Sequence, residues 1–233
     1  MAHVMEKLFE FSHFPQWISK LHYDNTTLGK AYAMLDGSVY IYDINMRKCI
    51  AYLKDIHKAT VTGCIWYEKS QFYVTCCTGG LIKCYKIIHK ISSDAKSNDD
   101  EMEVSKSALL HTFTVHTKAV TSIALHPEIP GLMLSASLDH TIRVLNLEKL
   151  DQLFVVHLSS GVTNMKILNR AGFKGFLFTQ EEGNFRLWST VSTTKYFSIT
   201  NSAIAQLEYV ENLQMTASYG DGVGGTYQHI RKI

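Results

Sequence analysis

Proline is scarce, with three in 233 residues, helix-start signals are nearly absent, and no run approaches the ~20 apolar residues that a membrane-spanning helix requires. The stretch from Met1 to Phe11 interrupts its apolar residues with His3, Glu6, Lys7 and Glu10, so it does not read as a signal peptide. Charge of one sign is lacking as well: 23 basic residues face 21 acidic ones. The basic residues lie singly, as at Arg143, Arg170 and Arg186, which argues against the clustered stripe that nucleic acid demands. Paired cysteines are missing too. Cys49, Cys64, Cys76, Cys77 and Cys84 make an odd count inside apolar, strand-like runs, and read as reduced, intracellular core thiols. A metal site from His57, Cys64 and Cys84 would lack the paired short spacing of a zinc knuckle, so no metal is expected. The sequon at Asn25-Thr26-Thr27 carries no weight without secretion.

What is present is repetition. One segment type occurs five times, a turn residue or two followed by four or five strand residues that end in an aromatic residue or Leu plus one polar residue. The copies begin at Asp36-Gly37, Gly79-Gly80, Asp139-His140, Glu182-Gly183 and Asp221-Gly222, and close at Tyr42, Tyr85, Leu145, Trp188 and Tyr227. The closing positions are 43, 60, 43 and 39 residues apart. An insert over 89–107, polar and acidic, explains the long interval and is expected to be a disordered surface loop, with Ser92, Ser93, Ser97 and Ser105 as conceivable phosphoacceptors. A second landmark keeps step with the first: His13, His57, His116 and His157 precede Tyr42, Tyr85, Leu145 and Trp188 by 29, 28, 29 and 31 residues.

These two landmarks resemble the WD-repeat family, whose units open on Gly-His and close the third strand on Trp-Asp. Here the His stays and the Gly goes. Trp survives at Trp188 and Asp at Tyr42-Asp43, so the repeats are divergent. The resemblance implies an all-β fold, a propeller of four-stranded antiparallel blades, about five of them in this chain. Strand-forming residues fit it, most clearly over 120–125, 132–137, 141–146 and 152–157. The expected division is an outer strand of the closing blade at 5–11, then blades at 12–53, 57–115, 116–157 and 158–199, and a partial blade at 200–233. Seven blades, the commonest family number, would need about 280 to 315 residues at ~40–45 each, so a fragment or short isoform of a larger propeller is expected.

In the family a turn Asp, the repeat His, a second-strand Ser or Thr and the third-strand Trp form one hydrogen-bonded chain. Carried over, that implies structural roles for Asp36, Asp139 and the four His residues, and a network of His116, Asp139 and either Ser135 or Ser137, short of its last member because Leu145 stands in the Trp position. The trio copies the composition of a hydrolase triad, but no nucleophile elbow or oxyanion hole accompanies it. Gly220, Gly222 and Gly225 match a dinucleotide fingerprint, yet only eight residues follow Gly225, too few for the required helix and ribose-binding acid. No cofactor is expected. The reading is a non-catalytic platform for other proteins, cytoplasmic, with contact positions in register with the family at His57, Lys58, Lys118, His140, Glu181 and Glu182. Ala-Leu-His-Pro at 124–127 and Ser-Leu-Asp-His-Thr at 137–141 resemble long WD proteins of cilia and flagella, which implies a scaffold in a cytoskeletal or ciliary assembly. The alternatives are an accessory propeller of a coat or trafficking complex, and a propeller hydrolase.

Overall fold

A computed structural model of the chain describes residues 10, 16–24, 29–88, 104–127, 129–170, 173–181 and 185–189. The outer strand expected at 5–11 (Glu10 apart), His13, the sequon, Glu182 and everything from 190 onward, including Tyr227 and the glycine-rich run, lie outside the described residues.

Among the described residues, fifteen strands form four antiparallel sheets. Blade 1 holds β1 (Lys20–Asp24), β2 (Lys30–Met34), β3 (Val39–Asp43) and β4 (Lys48–Leu53), and blade 2 holds β5 (Val61–Tyr67), β6 (Phe72–Cys77), β7 (Ile82–Ile87) and β8 (Ser107–Phe113). Blade 3 consists of β9 (Val120–Leu125), β10 (Leu132–Ser137), β11 (Thr141–Asn146) and β12 (Asp151–His157), and three strands of blade 4 follow, β13 (Val162–Arg170), β14 (Phe173–Gln180) and β15 (Phe185–Ser189). Sheet order follows chain order in every blade, and the first strand of each blade adjoins the first strand of the next. The blades therefore stand side by side around a common axis with their first strands innermost.

A sheet this small has two faces to bury, and the cores lie between sheets. Tyr32, Met34 and Ile41 of blade 1 meet Val61, Cys64 and Tyr73 of blade 2. Val74 and Ile82 meet Val120, Met133 and Leu145 across the next seam. Ile142, Val144 and Phe154 meet Val162, Met165 and Phe176 across the third. A polar tie repeats beside these seams: Ser19 Oγ donates to Val61 O at 3.4 Å, Thr62 Oγ1 to Val120 O at 2.5 Å and Thr121 Oγ1 to Val162 O at 2.8 Å. Each hydroxyl follows an aliphatic residue, in Ile18-Ser19, Val61-Thr62 and Val120-Thr121, so this rung was visible in the sequence as a recurring dipeptide.

The turn between second and third strands needs one residue in the left-handed region, supplied by Gly37 (φ 72°), Gly80 (φ 80°) and His140 (φ 67°). At the glycines there is a second requirement. A Cβ on Gly37 would lie 2.5 Å from His57 O, and one on Gly80 2.7 Å from His116 O, so each turn abuts the repeat His of the following blade. The closing positions share one depth: Tyr42 pairs with Ala31, Tyr85 with Tyr73, Leu145 with Met133 and Trp188 with Phe176. In the first three blades the pairing with the outer strand shifts register just before this residue.

The expectation of a disordered insert over 89–107 is corrected at its end. Residues 89–103 lie outside the described residues, but Ser105 is buried, donates its N–H to Tyr52 O at 2.9 Å and accepts from Tyr52 N at 3.0 Å through Oγ. Those two bonds fasten the insert to the last strand of blade 1 and put Ser105 beyond the reach of a kinase.

Candidate interaction face and the network beneath it

Blade 3 carries the fullest arrangement among the described blades, with His, Ser and Asp in place and Leu145 where the family has Trp. His116 follows β8, Ser135 lies on β10 and Asp139 in the turn to β11, so three segments distant in sequence converge at one end of the sheet. His116 Nδ1 lies 2.9 Å from Asp139 Oδ2 and its Nε2 lies 2.8 Å from Ser135 Oγ. Asp139 also accepts from Thr117 N at 3.1 Å, from Thr141 N at 3.1 Å and from Thr141 Oγ1 at 2.6 Å. A carboxylate facing Nδ1 fixes the neutral ring as the Nδ1–H tautomer, and Nε2 then accepts from the Ser135 hydroxyl. Burial lowers the pKa of His116, with the Asp139 bond partly opposing it. Burial alone would raise Asp139, yet the bonds from Thr141 and His116 outweigh it and hold the carboxyl below its ordinary value.

Of the two serines left open by the sequence, Ser135 is the partner. Ser137 turns to the loop, donating to Lys118 O at 3.3 Å and accepting from Asp139 N at 3.1 Å. Ser135, His116 and Asp139 do stand in the order of a hydrolase triad, but Ser135 has no exposed surface, so no substrate carbonyl reaches its oxygen in the folded protein. The arrangement fastens strands and does not present a nucleophile. Leu145, standing where the family has Trp, is fully buried in the seam with blade 2.

Blade 2 carries half of it. His57 Nε2 lies 2.9 Å from Thr75 Oγ1, and Thr75 donates its own proton to Lys83 O at 3.3 Å. Nε2 is therefore the donor, the tautomer opposite to that of His116. The turn position matching Asp139 is Gly79, and His57 Nδ1 is buried with no hydrogen-bond partner among the described residues. Burial first, and nearby Lys83 second, push the His57 pKa down to about 4. The segment is tied instead one residue earlier, where Ile56 O accepts from Lys83 Nζ at 2.7 Å and from the closing Tyr85 hydroxyl at 2.9 Å. In blade 1, Asp36 accepts from Thr60 Oγ1 at 3.1 Å, and Asp43 caps the β3–β4 turn by accepting from Met46 N at 2.9 Å.

In blade 4 the assignment of His157 as the repeat His is corrected. His157 is exposed at the end of β12, paired with Thr141. The next residue takes the position: Leu158 N donates to His140 O at 2.8 Å, as His57 N does to Gly37 O at 3.1 Å. Its second-strand counterpart, by register with Ser135, is the buried Phe178, and Leu158 packs against the cluster containing it. The spacing of 31 residues to Trp188, against 28 and 29 in the two blades before it, was the available signal.

The remaining sequence candidates sort by exposure. His57 is buried beneath the surface, which corrects its place among the contact positions. Lys58, Lys118 and Glu181 are exposed and His140 is half-buried, all at the end of the blades where the turns meet the repeat positions. Glu181 Oε2 also accepts from Gly161 N at 3.2 Å. The five thiols are unpaired, and burial pushes Cys49 up to about 11 and Cys76 and Cys84 to about 12. Among the described residues no three His, Cys, Asp or Glu side chains come together as metal ligands.

The family profile of the WD domain, G-beta repeat, matches residues 107–146, the stretch from β8 to β11 that holds His116, Ser135, Asp139 and Thr141. The chain thus carries a WD repeat and has the fold of a β-propeller. Its first three blades carry the repeat as four-stranded sheets, and the fourth is described for three strands. Similar proteins include the probable cytosolic iron-sulfur protein assembly protein Ciao1 of Anopheles gambiae, 28% identical over 97 residues, which is 42% of this chain and 26% of that protein. Among solved structures the WD40 propeller of Doa1 is similar at 18% identity, with a TM-score of 0.53, covering 73% of this chain and 49% of that one. A chain in the crystal structure of the Mitotic Checkpoint Complex is similar at 19% identity, with a TM-score of 0.50, covering 69% and 46%. The match thus spans about a quarter of the curated relative and about half of each solved chain. Among the described residues no helix is long and apolar enough to cross a membrane.

Proposed function

We propose that this propeller is a non-catalytic protein–protein interaction scaffold, and that Lys58, Lys118, His140 and Glu181 lie on its partner-binding face. The observation that carries the reading is the network under that face: Asp139 and His116 clamp the turn bearing His140 against the segment bearing Lys118, so exposed contacts stand on a pre-ordered base. Pre-ordering lowers the entropic cost of binding. Mixed charge on the face suits a protein partner, as single, dispersed cations do not suit a polyanion. The phrases that resemble ciliary proteins form the end of β9 and the turn from β10 to β11, and are accounted for by the blade itself. Cytosolic iron-sulfur protein assembly, named for the Anopheles relative, is where we place the search for a partner.

The test is affinity purification of the full chain beside its Lys58→Glu/Lys118→Glu variant. The reading expects a specific protein retained by the first and reduced about tenfold in the second. Absence of any specific protein, or equal recovery by both, overturns it.

A further inference from the structure

The opposite end of the axis carries a second site. Where the first and second strands join, the innermost strands splay into an open mouth of about 750 Å³. Its walls are apolar: Tyr23 from β1, Trp66 from β5, Leu125 and Pro130 around the β9–β10 turn, and Ile167 from β13. Trp66 is held in place, since Lys30 Nζ sits 4.2 Å from its ring centre and Tyr73 lies 4.5 Å away. Tyr23 and Ile167 are exposed, unlike the residues of the inter-blade seams. A rigid, concave, apolar surface of this kind marks a binding site more often than a stretch of ordinary exterior does.

The mouth narrows into a throat of about 70 Å³, and the two share walls at Ile65, Ile123 and Lys166. Lys20 and Lys166 enter the throat from blades 1 and 4, between the polar groups of Thr62, Ser122 and Asn164. No Asp or Glu lines the throat among the described residues. Lys20 donates to Thr121 O at 3.1 Å, which fixes its ammonium in place. Burial and the nearby Lys166 lower the pKa of Lys20, as a desolvated cation beside a like charge requires. In the mouth the acid is Glu68, followed by Lys69, which pairs with Glu148 outside it. Two cations with no lining carboxylate among the described residues, at the bottom of an apolar cleft, are complementary to an anion carried on an apolar body.

We propose that this end of the channel binds a peptide in which an aromatic or aliphatic residue neighbours Asp or Glu, the apolar side chain filling the mouth and the carboxylate reaching Lys20 and Lys166. The throat is too small for more than a side-chain head, so the peptide lies across the mouth and does not thread the axis. Thr62 Oγ1 already donates to Val120 O and Ser122 Oγ to Asn164 Oδ1, so the donors available to a carboxylate there are the two ammonium groups and the Asn164 side-chain amide. This inference rests on the protein-binding reading but concerns the other end of the molecule.

The experiment probes the full chain with an array of nonapeptides whose centre is Phe or Leu followed by Glu, Gln or Lys, and then measures the retained peptides by fluorescence anisotropy. Expected is retention of the Glu set at least about tenfold over the isosteric Gln set, with binding that weakens as salt rises. Lys166→Glu, at an exposed position, should abolish the preference while leaving thermal unfolding unchanged, and Lys166→Arg should keep it. Retention of Gln and Glu peptides alike, preference for Lys peptides, no retention at all, or retention indifferent to Lys166→Glu each overturns the proposal. Lys58→Glu/Lys118→Glu is expected to bind the Glu peptides normally, so failure here and failure of the partner face read out separately.

Discussion

Blades 2 and 3 solve one problem with unequal means. Both bury an imidazole between the end of one outer strand and the next hairpin turn, and both satisfy Nε2 with a hydroxyl of the second strand, Thr75 or Ser135. Only blade 3 supplies a carboxylate for Nδ1; in blade 2 that position is Gly79, and the tie moves to Ile56 O through Lys83 and Tyr85. Blade 4 takes the argument to its limit, with Leu158 and Phe178 in place of both polar partners. The difference shows that the unit requires matched partners more than it requires a His. Removing both polar groups is tolerable, whereas removing one leaves the other buried and unsatisfied.

The comparison breaks most sharply at Asp139. Asp139→Ala orphans His116 Nδ1, Thr117 N and both Thr141 groups at once, so urea denaturation should show a loss of about 3 to 4 kcal/mol. An unchanged midpoint would mean that the network contributes nothing to the fold.

Acid is the next probe. The folded-state pKa of His57, about 4 against an ordinary 6.5, means that the native protein declines a proton which the unfolded chain accepts. The contribution is complete above pH 6.5, is lost as pH falls toward 4 and levels off below, with a span on the order of 3 kcal/mol from this residue. Denaturant midpoints across that window measure it.

Gly79→Asp should bring blade 2 toward blade 3. A Cβ there meets Ala59 Cβ and Cys77 Sγ at 3.5 Å, ordinary contacts, and the position is not among those with positive φ. The new carboxylate facing His57 Nδ1 should add about 1 kcal/mol at neutral pH, raise the imidazole pKa and shrink the acid-induced loss. A variant less stable than the parent would contradict the match between the two turns. The smallest effect is expected outside both networks: Lys69 and Glu148 form an exposed bridge between blades 2 and 3, and Glu148→Gln should leave the unfolding transition where it is.

The alternation and spacing that place Tyr42, Tyr85, Leu145 and Trp188 were legible because depth in a blade is set by hairpin geometry, which a repeat must preserve. The choice between Ser135 and Ser137 was not, because residues two apart point to one face of a strand and only the local register shift between Ala136 and Ser137 separates their partners. Leu158 is hidden in the sequence for a different reason. His157 stands next door, and the compensating change at Phe178 lies 20 positions away on another strand. Ser105 reads as part of an acidic insert in the sequence, since composition cannot reveal its bonds to Tyr52 on a neighbouring blade. Thr117 joins the network at Asp139 Oδ2, and Thr141 joins at Asp139 Oδ1 with its Oγ1 also 3.2 Å from His116 Nδ1, positions that the family pattern does not assign.

The unequal pairing of the two imidazoles is most directly tested by nitrogen-15 NMR of histidine side chains in the folded protein. The structure predicts His116 as the Nδ1–H tautomer and His57 as the Nε2–H tautomer, with His57 still neutral at pH 5.5. Finding both rings in one tautomer, or His57 titrating near 6.5, would contradict the account of how these blades are held.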